Sequence, residues 1–274
     1  MSLDLDSAFV KQFESEVHLS YQRMGSKLGN TVRKKTNVRG ESTTFQTVGT
    51  GTASQKSRNS DVTPMSLAHA PVECTLADYY APDYVDKMDE LKLNHDERQV
   101  VAMSAAAAIG RKQDALIIAA MDGSSNTQVH GSAGMTTTKI DVVTAHFGEN
   151  DIPDDGQRYA AVSPDSWNDL LGIAQFSSAD YVGMDQLPYK GGMTAKNWQG
   201  FTWFVHSGLT IDGSNIRNNL FWHRTGVGAA SGQELTTEIN YVPTKVAWLV
   251  NAMMSMGAVL IDDTSVYIVE TDES

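Results

Sequence analysis

Residues 84–123 read YVDKMDELKLNHDERQVVAMSAAAAIGRKQDALIIAAMDG; this proline-free run decides the architecture. It predicts one short helix followed by one unusually long one. Asn94 is placed to cap the long helix, with Glu97 three residues on. Asp96 and Glu97 fall in the first turn, where carboxylates complement the amide-rich end. Val101, Ala105, Ala108, Ile109, Leu116 and Ala119 recur at helical spacing. Gly123 stands where a left-handed C-cap belongs, so the helix is expected over 95–121. At about 1.5 Å per residue this is a rod on the order of 40 Å long, more than twice the average helix. The alanines at 105–108 let another backbone approach closely, while Arg111, Lys112 and Asp114 are expected to keep one flank in water. Gly110 lowers helix propensity by about 1 kcal/mol relative to alanine. Such a rod is a beam and not a pocket.

The rest of the 274-residue chain, 41% hydrophobic, can fill one large domain or two modest ones. A single cysteine, Cys74, excludes an internal disulfide and a cysteine-based metal cluster. No stretch is long and apolar enough to span a bilayer, and the start MSLDLDSAF lacks the basic and apolar regions of a signal peptide, so a soluble product is expected.

The net charge of −12 is unevenly spread. Residues 23–58 carry +7, from Arg23, Lys27, Arg33, Lys34, Lys35, Arg39, Lys56 and Arg58 against Glu41, whereas residues 1–22 carry −3 and 59–274 carry −16. A basic segment on an acidic body is either a nucleic-acid arm or an arm lying on the acidic surface of a neighbouring copy. Nucleic-acid binding calls for aromatic residues among the charges. Only Phe45 is there, which favours contact between copies.

Residues 3–29 hold an amphipathic helical pattern (Phe9, Val10, Phe13, Val17, Leu19, Tyr21, Met24). From Asn30 to His69 the composition turns to Thr, Ser, Gly, Gln and Lys, with strand-like alternation only around 43–48. A segment this long with so little to bury is functional or borrows its core from elsewhere. It is expected to run out through 44–48, turn at Gly49 to Gly51 or a little beyond, and return toward Val72. An isolated hairpin is marginal in water, so contacts with another subunit are expected to hold it. Val72, Cys74 and Leu76 alternate on a returning strand over 71–80, and Pro82 is expected to open the short helix.

After Gly123 a polar loop, 124–138, leads to a second domain. Residues 140–143 read as a short helix or strand and 159–162 as a buried strand. Ser163-Pro164-Asp165 is a strong helix start, with Ser163 as N-cap and Pro164 in the first turn, and the helix carries Trp167, Leu170 and Leu171. A glycine-rich loop, 177–199, precedes an alternating strand with Phe201, Trp203 and Val205. Further strands are expected at 220–223, 235–241, 245–250, 258–261 and 266–269. The order is α+β without βαβ alternation.

The residues offer no catalytic, cofactor or metal constellation. Gly49-Thr50-Gly51 is followed by neither a helix nor a Lys-Ser/Thr pair, so a hairpin turn is the better reading than a phosphate loop. The histidines at 18, 69, 95, 130, 146, 206 and 223 show no metal-ligand spacing. Glu149, Asp151, Asp154 and Asp155 have oxygens enough for a cation, yet not the spacing of a calcium-binding loop. Ser163 and Ser166 lie in no GxSxG context. Cys74 on an alternating strand reads as a small hydrophobe, and Met253, Met254 and Met256 beside Trp248 as an adaptable apolar surface.

The succession of parts resembles the major capsid proteins of tailed bacteriophages, with the Hong Kong 97 fold. The likeness is carried by YYAPDYVDKMDELKLN at 79–94, AIGRKQDALIIAAMDG at 108–123, VSPDSWNDLL at 162–171 and MGAVLIDDTSVYIVE at 256–270. It implies an N-terminal arm (1–36) and an extended β-hairpin loop (37–70). A peripheral domain (71–135) with a spine helix over 95–121 follows, then an axial α+β domain (136–233), returning peripheral strands (234–262) and a closing strand and tail (263–274).

The function it implies is structural: hexamers and pentamers that close an icosahedral shell around double-stranded DNA. Arg33, Lys34, Lys35, Arg39, Lys56 and Arg58 would make inter-subunit contacts, with DNA held without sequence-specific contacts and no membrane involved. Because Met1 lies a few residues before the arm, the resemblance implies a separate scaffolding protein beside a portal, and assembly in the host bacterial cytoplasm. No motif assigns the lysine-to-asparagine cross-link of some members, although Lys56 lies in the loop. Two other readings stay open: an encapsulin-type nanocompartment shell, and an α+β enzyme with a dispersed site involving Asp154 or His223.

Overall fold

The computed structural model describes residues 25–90, 96–178 and 195–274. In chain order the elements are β1 (Arg33–Lys35), β2 (Ser42–Val48), β3 (His69–Thr75), β4 (Ala77–Asp86), α1 (Lys87–Glu90), α2 (Glu97–Met121), β5 (Thr127–Gln128), α3 (Thr137–Glu149), β6 (Arg158–Val162), α4 (Pro164–Leu171), α5 (Ala174–Ser177), β7 (Lys196–Trp198), β8 (Phe201–Val205), β9 (Ile216–His223), β10 (Val227–Ser231), β11 (Thr236–Val242), β12 (Ala247–Leu260) and β13 (Val266–Asp272). The architecture is α+β. Two compact units divide it. One contains Asp78–Arg111 and Glu234–Met254; the other contains Ser26–Ala77, Lys112–Gln233 and Ser255–Ser274.

The long helix ends at Met121, as its periodicity predicts, and starts at Glu97. Asn94 lies outside the described residues; Asp96 Oδ1 accepts the Arg98 amide at 3.2 Å instead, so the aspartate caps the first turn. Gly123 does not take a positive φ. The end is closed by ordinary turns, Asp122 N–H to Ile118 O at 2.8 Å and Ser124 N–H to Met121 O at 3.0 Å, so the expected left-handed cap is absent. Asp114, expected on a wet flank, is fully buried. Pro82 does not open a helix: it lies within β4, and α1 begins only at Lys87.

In the first unit β11 runs antiparallel to β12 from Thr236↔Met253 to Val242↔Ala247, and β4 also pairs with β12. The two predicted strands over 245–250 and 258–261 are parts of one 14-residue strand, β12. The turn before it places Val246 at φ 51. Three rings here each meet a cation: Tyr84 with Lys245, Tyr241 with Lys87 and Trp248 with Arg98.

The second unit is built on a six-stranded mixed sheet, order β5-β13-β9-β6-β8-β7, buried on both faces. Alternate residues of one strand therefore point to different cores. Ala160, Val162, Phe221, Tyr267 and Val269 join Ile140, Val143 and Phe147 of α3, Trp167 and Leu170 of α4 and Phe176 of α5. Ala161, Leu220, Trp222, Val266 and Ile268 join Ile117, Ile118 and Met121 of α2 together with Leu28 and Val32. Ser163 caps α4 as expected, accepting the Ser166 amide at 3.0 Å. The 140–143 stretch is the middle of a 13-residue helix whose cap is Thr136. Residues 26–36, assigned by the sequence to an arm, lie in this unit, because Leu28 and Val32 fill its core and β1 pairs in parallel with β10.

Candidate assembly surface

The polar excursion is a true hairpin at its base and something else beyond it. β2 and β3 pair antiparallel from Ser42↔Thr75 to Val48↔His69. The base is anchored on its own subunit. Phe45, 2% exposed, packs with Cys74, Ala230 and Ile261, so the base has a core of its own beside any contact with another copy. The ladder ends where Gly49 donates to Ala68 O at 2.8 Å. Every residue from 48 to 66 is exposed. A turn at 57–60, with Asn59 at φ 66, lies within this distal stretch.

The structure separates the six basic residues into two groups. Arg33, Lys34 and Lys35 are exposed on β1, beside the hairpin base: the Arg33 guanidinium lies 5.6 Å from the Phe45 ring centroid, and Lys35 Nζ donates to Thr44 O at 3.2 Å. Lys34 Nζ donates to Asn30 Oδ1 at 2.7 Å. Arg39 is exposed at the approach to β2. Lys56 and Arg58 stand on the distal stretch.

A polar cluster that the sequence reading missed is centred on Asp114 of α2. Asp114 Oδ1 accepts from Ser26 Oγ at 2.6 Å and Leu28 N at 3.1 Å; Oδ2 accepts from Lys27 N at 3.1 Å and His206 Nε2 at 3.2 Å. Gly208 N–H donates to His206 Nδ1 at 3.2 Å, so the imidazole proton sits on Nε2 and points at the carboxylate. Burial pushes the Asp114 carboxyl up, but the bonds from His206, Ser26 and the Leu28 and Lys27 amides outweigh it and hold the group below its ordinary value. No local signal announces this, since the partners lie more than 80 residues away in either direction.

Other charged side chains are held by contacts within the same unit. Lys139 donates to the carbonyls of Ala133, Gly134 and Glu270 at 2.8–3.0 Å, and burial lowers its ammonium pKa against the pull of Asp169, Glu270 and Asp272. Arg158 donates to Pro153 O at 3.0 Å and to Ile152 O. Asp155, of the acidic loop, is taken by His223 Nε2 at 3.1 Å, a bond that lowers its pKa. Ser163 Oγ donates to Glu273, which also pairs with Arg217 at 3.0 Å. Cys74 is buried and its thiol pushed up by that burial, as a small hydrophobe would be. His18 and His95 lie outside the described residues. Among those described, no three His, Cys, Asp or Glu side chains converge on a metal site, and no helix is long and apolar enough to cross a membrane.

A spine helix, a hairpin reaching past its own core and a two-faced mixed sheet define a structural subunit of the Hong Kong 97-like capsid fold. The family model described as phage capsid protein matches residues 5–273; the chain belongs to that family and is a phage capsid protein. Solved structures share the fold. The capsid of Cyanophage P-SCSP1u is 17% identical with a TM-score of 0.75, over 98% of this chain and 94% of that one. A Mycobacterium phage Che8 chain is 14% identical at 0.74, over 95% and 97%. The head of Helicobacter pylori bacteriophage KHP40 is 11% identical at 0.77, over 100% and 98%. No curated protein matches.

Proposed function

We propose that this chain is the major head-shell subunit of a tailed bacteriophage. It assembles as hexamers and pentamers into an icosahedral shell around double-stranded DNA, in the host bacterial cytoplasm, with a separate scaffolding protein and a portal. The observation that carries the reading is the hairpin: its base is fixed to its own core through Phe45, while residues 48–66 bury nothing on it. Long exposed segments of this kind cover a neighbour when copies overlap in a closed shell.

Charge supports the partner. Lys56 and Arg58 lie on the distal stretch, and residues 59–274 carry −16, so contact with an acidic neighbouring copy is favourable, with Arg33, Lys34, Lys35 and Arg39 extending the basic surface toward the base. Each exposed pair is worth only about 0–1 kcal/mol, but every subunit repeats it. An acidic inner surface would also keep DNA from adhering. The test is assembly without DNA of the Lys56→Glu, Arg58→Glu double variant. Impaired shell formation, and weaker early assembly of the unaltered protein at raised salt, are expected. Normal empty shells with reduced DNA retention alone would refute the inter-subunit role.

A further inference from the structure

We propose that residues 26–36 form a strap that couples the spine helix α2 to the base of the extended hairpin, with Asp114 as the positioning residue that fastens it. Donors from Ser26, Lys27 and Leu28 converge on the Asp114 carboxylate together with His206 Nε2, and Ser26 Oγ in turn accepts the Gly29 amide at 2.9 Å. This closes a compact turn on helix α2. The turn delivers Leu28 and Val32, both fully buried, into the core beside Ile117, Met121 and Trp222. Trp222 Nε1 donates to Thr31 O at 3.0 Å and pins the same segment from β9.

From there the connection runs to the hairpin through contiguous contacts. Arg33 to Lys35 pair with Gly228 to Ala230. The next turn is tied by the Val38 amide to Ser231 O at 3.1 Å. On β10, Ala230 belongs to the cluster that holds Phe45, with Val38 packed against it. A Cβ built on Gly228 would stand 2.8 Å from the Phe45 ring, so strand and ring are in close contact with no slack between them. Lys35 Nζ reaches Thr44 O directly. Undocking the strap therefore removes an edge strand, part of a core and a support of the hairpin at once.

The test is hydrogen exchange on the full-length protein, wild type against Asp114→Asn, which keeps the side chain's shape and removes its charge. Hydrogen bonds to a buried carboxylate stabilise enough for exchange at 26–36 to rise roughly tenfold or more. The proposal expects β2 and β3 to rise with it, while α3, whose buried apolar residues belong to the core on the other face of the sheet, is unchanged. Ser26→Ala, which deletes one donor, should give the same pattern at smaller size and is read by the same criterion should the asparagine variant fail to fold. His206→Gln, which retains an N–H donor, should restore most of the protection lost in His206→Ala. Exchange that rises only in 26–36, or uniformly through the chain, overturns the coupling.

Discussion

Replacing Gly257 by alanine tests how closely β12 approaches the hairpin's return strand. Gly257 faces Ala230 across the β10–β12 ladder, and it does not have the positive φ that would make any side chain unwelcome. The cost is one of space. A Cβ there would lie 2.1 Å from Thr75 O and 3.2 Å from Cys74 Sγ. The obstructing atom is backbone, held where Thr75 closes the ladder to Ser42 and Leu76 donates to Glu41 O at 2.8 Å. No rotamer relieves the contact. The end of β3 must back away by roughly an ångström, and overpacking of that kind costs about 1–3 kcal/mol, here toward the upper end. Gly148→Ala is the control: it lies in α3, and nothing stands within 4 Å of the added methyl. That change should be neutral or stabilise by up to about 1 kcal/mol. Chemical denaturation of both variants, with hydrogen exchange over β2 and β3, gives the answer. A Gly257→Ala protein as stable as wild type, with unchanged hairpin protection, would refute the close approach.

Burial also resolves the alanine run of the spine helix: Ala107 is 2% exposed while Ala106 is half-buried. Ala107→Leu should destabilise by about 1–3 kcal/mol in thermal melts and Ala106→Leu by less; the reverse order would contradict the packing. Acid should loosen the strap. The folded pKa of Asp114 lies below its unfolded value, so its stabilisation is full above the ordinary carboxylate range and is lost as pH falls through the depressed folded value. Denaturation midpoints followed from neutral pH downward should fall less steeply in Asp114→Asn, and equal slopes would show that Asp114 is not the group responsible. Lys139→Met should destabilise by about 1–3 kcal/mol, because three carbonyls lose their shared donor; an unchanged midpoint would mean that solvent replaces it.

Where an element announces itself locally, the sequence was a sufficient guide. Ser163-Pro164 sets the start of α4, the periodicity ending at Met121 sets the end of α2, and the alternation of Phe201, Trp203 and Val205 sets β8. The failures are non-local. β10 reads Val-Gly-Ala-Ala-Ser, with little strand propensity, and is a strand because all five residues are buried between partners supplied by β1 and β12. Asp114, beside Arg111 and Lys112, has every sign of a wet helix flank until Ser26 to Leu28 close over it. Pro82 fits β4 because proline within a sheet is confined to positions whose missing amide leaves no ladder partner unsatisfied. The basic residues were visible as a charge block, but their division between β1 and the distal stretch depended on a parallel pairing across nearly two hundred residues.

The placement of the aromatic residues makes the two units optically separable. Trp167, Trp203 and Trp222 are fully enclosed and Trp198 packs against Trp203, all within the larger unit. Trp248 alone among the five tryptophans belongs to the other, half-buried with the Arg98 guanidinium 5.2 Å from its ring centroid. The enclosed set is expected to emit as indoles held in a rigid, largely apolar setting, whereas Trp248, half-buried beside a cation, is expected to respond to solvent. Subtracting the spectrum of Trp248→Phe therefore yields a one-residue reporter for the β11–β12 sheet, so that the fluorescence of an assembling sample can be followed in each unit without any attached dye.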